Sequence, residues 1–491
     1  MRSLVSVLAL GLAAAPAAYA QEADPTWERG RAELAERLAV QPRPVQARNV
    51  ILFIADGMSI DTITAARIYD GQSRGESGVE NQLVFERFPF SGLVRTYDAT
   101  QQVPDSAATA SAMVTGVKTR TGAVSVAADQ YLEACAPGAE HPMTLAEHAE
   151  DRGLATGVVS TARLTHATPA SVYAHSISRG FEGDGDLPDW AAEAGCVDIA
   201  AQLIGFDHGD GIDVAMGGGV ASFLPEAEGG RRLDGRNLIA EWEEAGGVAV
   251  RDAGQFADLD AAGDAPVLGL FSGSHMAFEA DREDGDQPSL AEMTRFAVER
   301  LSRDEDGFVL VVEAGRVDHA HHGTNAYRAL TDMQAFNEAI AVAHEMTARV
   351  DGGAGDTLIV VTADHGHVFN IAGYPARNNP ILGLVRSPNM MQPDAEPGLS
   401  FDRDGKPYTT LGYLNGPNPR DRDGEALTDE QVLDPDYQQQ SGMPMGSETH
   451  SGADVAVFAD GPFSHLFSGS LEQNTLFHLM THALGWEVQA E

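Results

Sequence analysis

Lysine is almost missing from this chain of 491 residues: Lys118 and Lys406 are the only two, and all basic residues number 32 against 73 acidic ones. The formal charge of −41 argues against nucleic acid or an anionic membrane as a partner, because both would be repelled by the protein's overall field. Any anionic substrate must be attracted locally, by metal ions and an arginine. Such a surface fits a salt-rich habitat, where screening weakens self-repulsion, although the arginine-for-lysine bias is also what genome composition alone would give. Cysteine is equally scarce, with only Cys135 and Cys196. Long apolar runs are lacking too. After the N-terminus no segment approaches the roughly 18 uncharged apolar residues of a membrane-spanning helix. There is no internal repeat and no low-complexity tract, and no Gly-x-Ser-x-Gly elbow of the kind that marks a serine esterase surrounds Ser106.

What is present begins with an export signal. Arg2 supplies a charged end, residues 4–15 a short apolar stretch, and Ala18-Tyr19-Ala20 a small-residue cleavage site, so 1–20 reads as a signal peptide. The mature chain is expected to be exported, periplasmic or secreted. In that oxidising setting Cys135 and Cys196 are expected to pair across a long loop, two free buried thiols being the alternative. No hydrophobic tail follows Trp486, which argues against a lipid anchor.

Residues 26–40 read as an amphipathic helix stopped by Pro42 and Pro44. Residues 50–54 (Val-Ile-Leu-Phe-Ile) form a continuous apolar run, as in a strand buried on both faces of a parallel sheet. Similar runs recur at 155–159, 309–312, 357–361 and 455–458, most of them separated by helical patterns such as 288–301 and 327–346. This alternation predicts an α/β fold with a large, mostly parallel central sheet flanked by helices on both faces. Residues 374–447, rich in Pro, Gly, Asn and Asp, interrupt it and predict a small irregular insertion subdomain, leaving 21–373 and 448–491 as the core.

Candidate ligands follow the strands: Asp56, Thr168, Glu313 and Asp364. In open α/β sheets, sites form beyond the carboxyl ends of strands, so these distant residues are expected to converge. Ser106, in Val103-Pro104-Asp105-Ser106-Ala107, opens a helix-favouring run that ends near Gly116. A helix N-terminus favours negative charge, so Ser106 is either a nucleophile or, like Asp105, a simple cap; the motif alone leaves both open. Asp318 and His322 stand four apart, on one helical face or around one tight loop; Asp364 and His365 are adjacent, and His450 adds a further imidazole. Mixed nitrogen and oxygen donors suit zinc, whereas magnesium prefers oxygen alone. His321, His465, His478 and His482 read as ordinary loop residues. Metal ions about 4 Å apart beside a hydroxyl suit phosphoryl transfer, where one cation stabilises the attacking alkoxide and another the leaving oxygen. A guanidinium would grip the phosphoryl oxygens; Arg163 and Arg179 follow the same strand and are equal candidates.

At this point the chain resembles the alkaline phosphatases. The resemblance rests on Ile54-Ala55-Asp56-Gly57-Met58, Val103-Pro104-Asp105-Ser106-Ala107, Thr165-His166-Ala167-Thr168-Pro169-Ala170, the stretch Glu313 to His322, Val361 to His367, and Glu448 to Ala456, all in family order. It implies that Asp56, Asp364 and His365 hold the zinc beside Ser106, and that Asp318, His322 and His450 hold a second zinc on the leaving-group side. Asp56, Thr168 and Glu313 would bind one magnesium. Arg179, rather than Arg163, would clamp phosphate, with His166 and His319 near the magnesium and the phosphate. The similarity is nearer to the animal-type enzymes: 374–447 resembles their crown subdomain, the 26–40 helix resembles a dimer-embracing arm, and Cys135 with Cys196 matches a known bridge. It implies a homodimer that hydrolyses a broad range of small phosphate monoesters through a phosphoserine at Ser106, releasing inorganic phosphate. Ser272 and Gln287 stand where acidic ligands of an additional calcium site would be, so no such site is expected. The alternative is a phosphodiesterase, phosphonate or sulfate-ester hydrolase of the same superfamily.

Overall fold

The computed structural model describes residues 25–283, 285–350, 355–421 and 424–486; the expected signal peptide lies outside the described residues. The chain divides into two units, residues 1–41 and 42–491. The described part of the first is helix Pro25–Ala39, which buries none of its own side chains. It carries an i,i+4 ion pair between Glu33 and Arg37, with Nη2 2.9 Å from the carboxylate.

The second unit is built on ten strands: β1 (Asn49–Ala55), β2 (Phe90–Arg95), β3 (Ala155–Arg163), β4 (Val214–Gly218), β5 (Val248–Val250), β6 (Val267–Leu270), β7 (Phe308–Ala314), β8 (Thr357–Thr362), β9 (Val455–Asp460) and β10 (Gly469–Glu472). They form one sheet in the order β10-β2-β9-β8-β1-β7-β3-β4-β6-β5. All neighbours are parallel except β9, which runs antiparallel to β8 and β2. Every residue of β1, β7 and β8 is buried, which is why their sequences show apolar runs rather than alternation. Near the sheet edge, β2 alternates between exposed and covered positions, and its Phe-Ser-Gly-Leu-Val-Arg sequence gives no such run.

Helices Leu290–Leu301 and Ala326–Val350 pack on each other beside the sheet. Phe53 of β1 meets Phe336 of the longer helix edge-on, with ring centroids 5.9 Å apart. Both side chains are fully buried, and truncating either to alanine removes about 3–5 kcal/mol.

The insertion predicted at 374–447 supplies most of the small sheets. Leu411–Gly416 pairs with Phe369–Ile371 and Ser441–Pro444, and Arg386–Ser387 pairs with Gly398–Leu399. Cys135 and Cys196 form a disulfide, as the sequence led us to expect. The bridge borders a satellite core of Ala123, Val126, Ala134, Ile177, Phe181 and Ala191, separate from the main one.

Candidate active site and metal centre

Three strand ends deliver the acids. Asp56 follows β1, Glu313 is the penultimate residue of β7, and Asp364 and His365 follow β8. Because β9 is antiparallel, its start lies at this same edge, and His450 sits five residues before it. The turn after β1 requires Gly57: its φ is 75°, and a Cβ there would lie 2.4 Å from the His367 ring. Asp318 and His322 project from one short helix, Arg316–His322. Ser106 is the first residue of helix Ser106–Thr115; Asp105 caps it by accepting from the Ala108 N–H at 3.2 Å.

The convergence expected from the sequence is present. Ser106 Oγ lies 3.4 Å from both Asp56 carboxylate oxygens and 3.2 Å from His365 Nε2. His365 Nε2 is in turn 3.4 Å from Asp56 Oδ1 and 3.2 Å from Asp364 Oδ2. On the other flank, Asp318, His322, His367 and His450 place ligand atoms within 4.8 Å of one another. A second such group joins Asp56 and His365 with Asp318, and a third joins Asp56, Glu313 and His166.

The hydrogen bonds indicate whether cations fit. His322 Nδ1 donates to the Glu448 carbonyl at 2.7 Å, and His450 Nδ1 donates to the Pro104 carbonyl at 2.8 Å. Each neutral ring therefore turns a lone pair outward at Nε2. These two Nε2 atoms face each other at 3.1 Å, and each stands 3.4 Å from Asp318 Oδ1. Two lone pairs and a carboxylate repel unless a cation lies among them, and this donor set suits zinc. The third group reads differently. Arg179 donates from Nη2 to His166 Nε2 at 2.8 Å, so the ring's proton sits on Nδ1 and no lone pair is free. What remains is oxygen: Asp56, Glu313 Oε1 and the Thr168 hydroxyl, the last two buried without a hydrogen-bond partner. That set suits magnesium.

Electrostatics point the same way. Burial, and then repulsion from Asp364, Asp318 and Glu313, holds Asp56 well above the usual carboxylate range. Burial likewise raises Asp364, and it pushes Glu313 up to about 7. Asp318 behaves oppositely: burial alone would raise it, but the hydrogen bond from His367 holds it well below the usual range. Three acids strained against ionisation in one buried space are the signature of a site completed by cations, whose charge reverses the local cost.

The two candidate arginines separate. Arg163 is engaged by Glu182, which accepts from its Nε at 2.7 Å and its Nη2 at 2.6 Å. Arg179 instead spans from Asp105, 3.1 Å from its Nη1, to His166 beside the acids. His319 lies with its ring 5.3 Å from that of His166. Two side chains went unassigned in the sequence. His367 Nε2 donates to Asp318 Oδ1 at 2.8 Å, and its Nδ1 meets the Glu448 carboxylate. The signal available was position: His367 falls two residues after His365, and Glu448 two before His450. The loop readings need correction. His321 is fully buried in the ligand-bearing helix, between the Thr62 hydroxyl and Tyr413, while His478 and His482 lie in helix Thr475–Ala483 and His465 in the short helical turn Ser464–Leu466.

Residues 47–486 match the alkaline phosphatase family profile. The tissue-nonspecific alkaline phosphatase of Gallus gallus is 39% identical over 505 residues, covering 98% of this chain and 94% of that protein. The chain belongs to the alkaline phosphatase family. The human tissue-nonspecific isozyme is 38% identical over 487 residues, covering 94% of this chain and 89% of its own. Among solved structures, the alkaline phosphatase of Thermus thermophilus superposes with a TM-score of 0.65 at 26% identity, over 91% of this chain and 94% of that one. The enzyme from the Antarctic bacterium TAB5 shares the fold, with a TM-score of 0.61 at 23% identity over 91% of this chain and 100% of that one. This alkaline phosphatase is thus a metal-binding hydrolase of phosphate monoesters, related over nearly its whole length to the animal tissue-nonspecific enzymes. No helix among the described residues is long and apolar enough to cross a membrane.

Proposed function

We propose that this enzyme hydrolyses a broad range of small phosphate monoesters through a phosphoserine at Ser106. The observation that carries the reading is the setting of the Ser106 hydroxyl, at the start of a helix and within 3.4 Å of Asp56 and His365. Asp364 and His365 with Asp56 would hold one zinc, Asp318, His322 and His450 a second, and Asp56, Thr168 and Glu313 one magnesium. When bound, these cations supply the Lewis acidity that stabilises an alkoxide and a departing oxygen. Ser106 Oγ forms the bond to phosphorus as the ester oxygen leaves in line, and water then breaks the phosphoserine to release phosphate. Arg179, steadied by Asp105, grips phosphoryl oxygens, and the free N–H groups of helix Ser106–Thr115 favour the same charge. His367 orients Asp318 from behind, itself held by Glu448.

The finer organisation follows kinship. Residues 21–373 and 448–491 form the catalytic core, 374–447 a crown-like subdomain, and helix Pro25–Ala39 an arm toward a second copy in a homodimer. No additional calcium site accompanies these metals: Ser272 and Gln287 bring no carboxylate, the Ser272 carbonyl already accepts from the Gly219 and Val220 N–H groups, and Gln287 Oε1 accepts from Ala277 N–H. Export is supported by the disulfide, a bond that persists in oxidising compartments. The test is metal analysis of purified protein combined with rates on a monoester and a diester of one leaving group, before and after chelation. Zinc and magnesium with chelator-sensitive monoesterase activity are expected; a faster diester, or turnover indifferent to chelation, contradicts the reading.

A further inference from the structure

Arg316 opens the helix that carries Asp318 and His322. Its guanidinium lies 3.7 Å above the centre of the Phe278 ring, a cation–π contact, and its Nε is buried without a hydrogen-bond partner. Its backbone N–H is tied to Thr161 Oγ1 at 3.3 Å. Among the described residues, the one directed bond from the guanidinium runs from Nη1 to His319 Nδ1, at 3.1 Å. A guanidinium has donors only, so His319 Nδ1 accepts, and the single proton of the neutral ring sits on Nε2.

The surroundings leave this arrangement uncontested. His275 packs on His319 at 4.1 Å between centroids, but both of its nitrogens face Arg163 rather than the His319 ring edge. On the other side is His166, whose tautomer Arg179 fixes in the opposite sense. Two neutral imidazoles thus flank the acids, each with its proton placed by an arginine.

We propose that Arg316, braced on Phe278, is a positioning residue that holds His319 as the Nε2-protonated tautomer and so supplies a hydrogen-bond donor for the phosphoryl oxygens. This rests on the reading of the site as phosphate-binding. It assigns Arg316 and Phe278 to substrate affinity rather than to the covalent step.

Nitrogen-15 labelling of histidine in the metal-loaded wild-type enzyme reads the tautomer directly, with the His319 signals identified by their loss in His319→Gln. A bare Nδ1 and a protonated Nε2 are expected; a protonated Nδ1 overturns the proposal. Arg316→Met should raise KM for a phosphomonoester and Ki for inorganic phosphate together, by about 3- to 10-fold, with kcat within about twofold. In a His319→Ala background the same substitution should add less than about 1.5-fold, whereas an equal penalty in both backgrounds refutes the coupling. His319→Gln, whose amide stands near the Nε2 position, should keep phosphate affinity that His319→Asn loses; the reverse order also counts against it. If Arg316→Met does not fold, the wild-type spectrum and the Gln and Asn pair still decide. Should Ser106→Ala turn over normally, the phosphoserine reading fails while the tautomer measurement stands, so the two failures are distinguishable.

Discussion

At the scale of single residues, the site works by placing lone pairs and protons, and substitutions should separate the roles. Ser106→Ala removes the only hydroxyl proposed to bond phosphorus, and kcat should fall about a thousandfold or more in a steady-state assay. Arg179→Ala leaves that hydroxyl in place but removes two charge-assisted donors. KM and the inhibition constant of phosphate should rise about 10- to 100-fold, more than kcat falls. Glu150, remote from this chemistry, gives a pH test. It is buried with Oε2 unpartnered, and burial pushes its carboxyl up to about 8 from an ordinary value of 4.5. Between those values the fold retains a proton that the unfolded chain has lost, so this group's contribution to stability shrinks as pH rises and is gone above about 8. Glu150→Gln should therefore melt at a higher temperature relative to wild type at pH 9 than at pH 5, by differential scanning fluorimetry with metals in excess.

At the scale of elements, the satellite core explains why Arg179 stays where it is. Ile177 and Phe181, on either side of it, pack into the cluster that Cys135 and Cys196 border, and the Arg179 N–H donates to the Gly122 carbonyl at 2.7 Å. Cys135→Ser with Cys196→Ser should loosen that segment. Phosphate inhibition constants should rise severalfold while kcat changes less, and the melting temperature should drop as the fold loses the ~2–5 kcal/mol of stability typical of a lost native bridge. Elements also set how much could be read beforehand. The central strands were legible because burial on both faces erases alternation, as in β1 from Asn49 to Ala55. The metal-ligand candidates were legible because strand ends mark them. Strands β10 and β2, the outermost pair at one side of the sheet, were not, since Gly92 and Gly469 interrupt any apolar pattern. Nor were the partners of ligands: His367 and Glu448 act through contacts between segments far apart in sequence, and spacing carries no record of those. Arg179 and Arg163 could be told apart from residues alone only once folding had shown Glu182 holding the latter.

At the scale of the whole molecule, a charge of −41 opposes approach of a phosphate dianion to a site that attracts it. Salt shortens the reach of the surface field from about 30 Å at 0.01 M to about 3 Å at 1 M, while the buried site is screened less. KM for a phosphomonoester should accordingly fall severalfold as sodium chloride is raised across that range, with the melting temperature rising alongside. A KM that climbs steadily with salt would show local attraction dominating the global field. The central claim, that folding gathers acids and imidazoles so that bound cations turn one serine into a nucleophile, has its most direct test in acid-quenched turnover followed by mass spectrometry of peptides. The account predicts phosphate on Ser106 in the metal-loaded enzyme and none after chelation; phosphate on another residue, or on Ser106 regardless of metal, would contradict it.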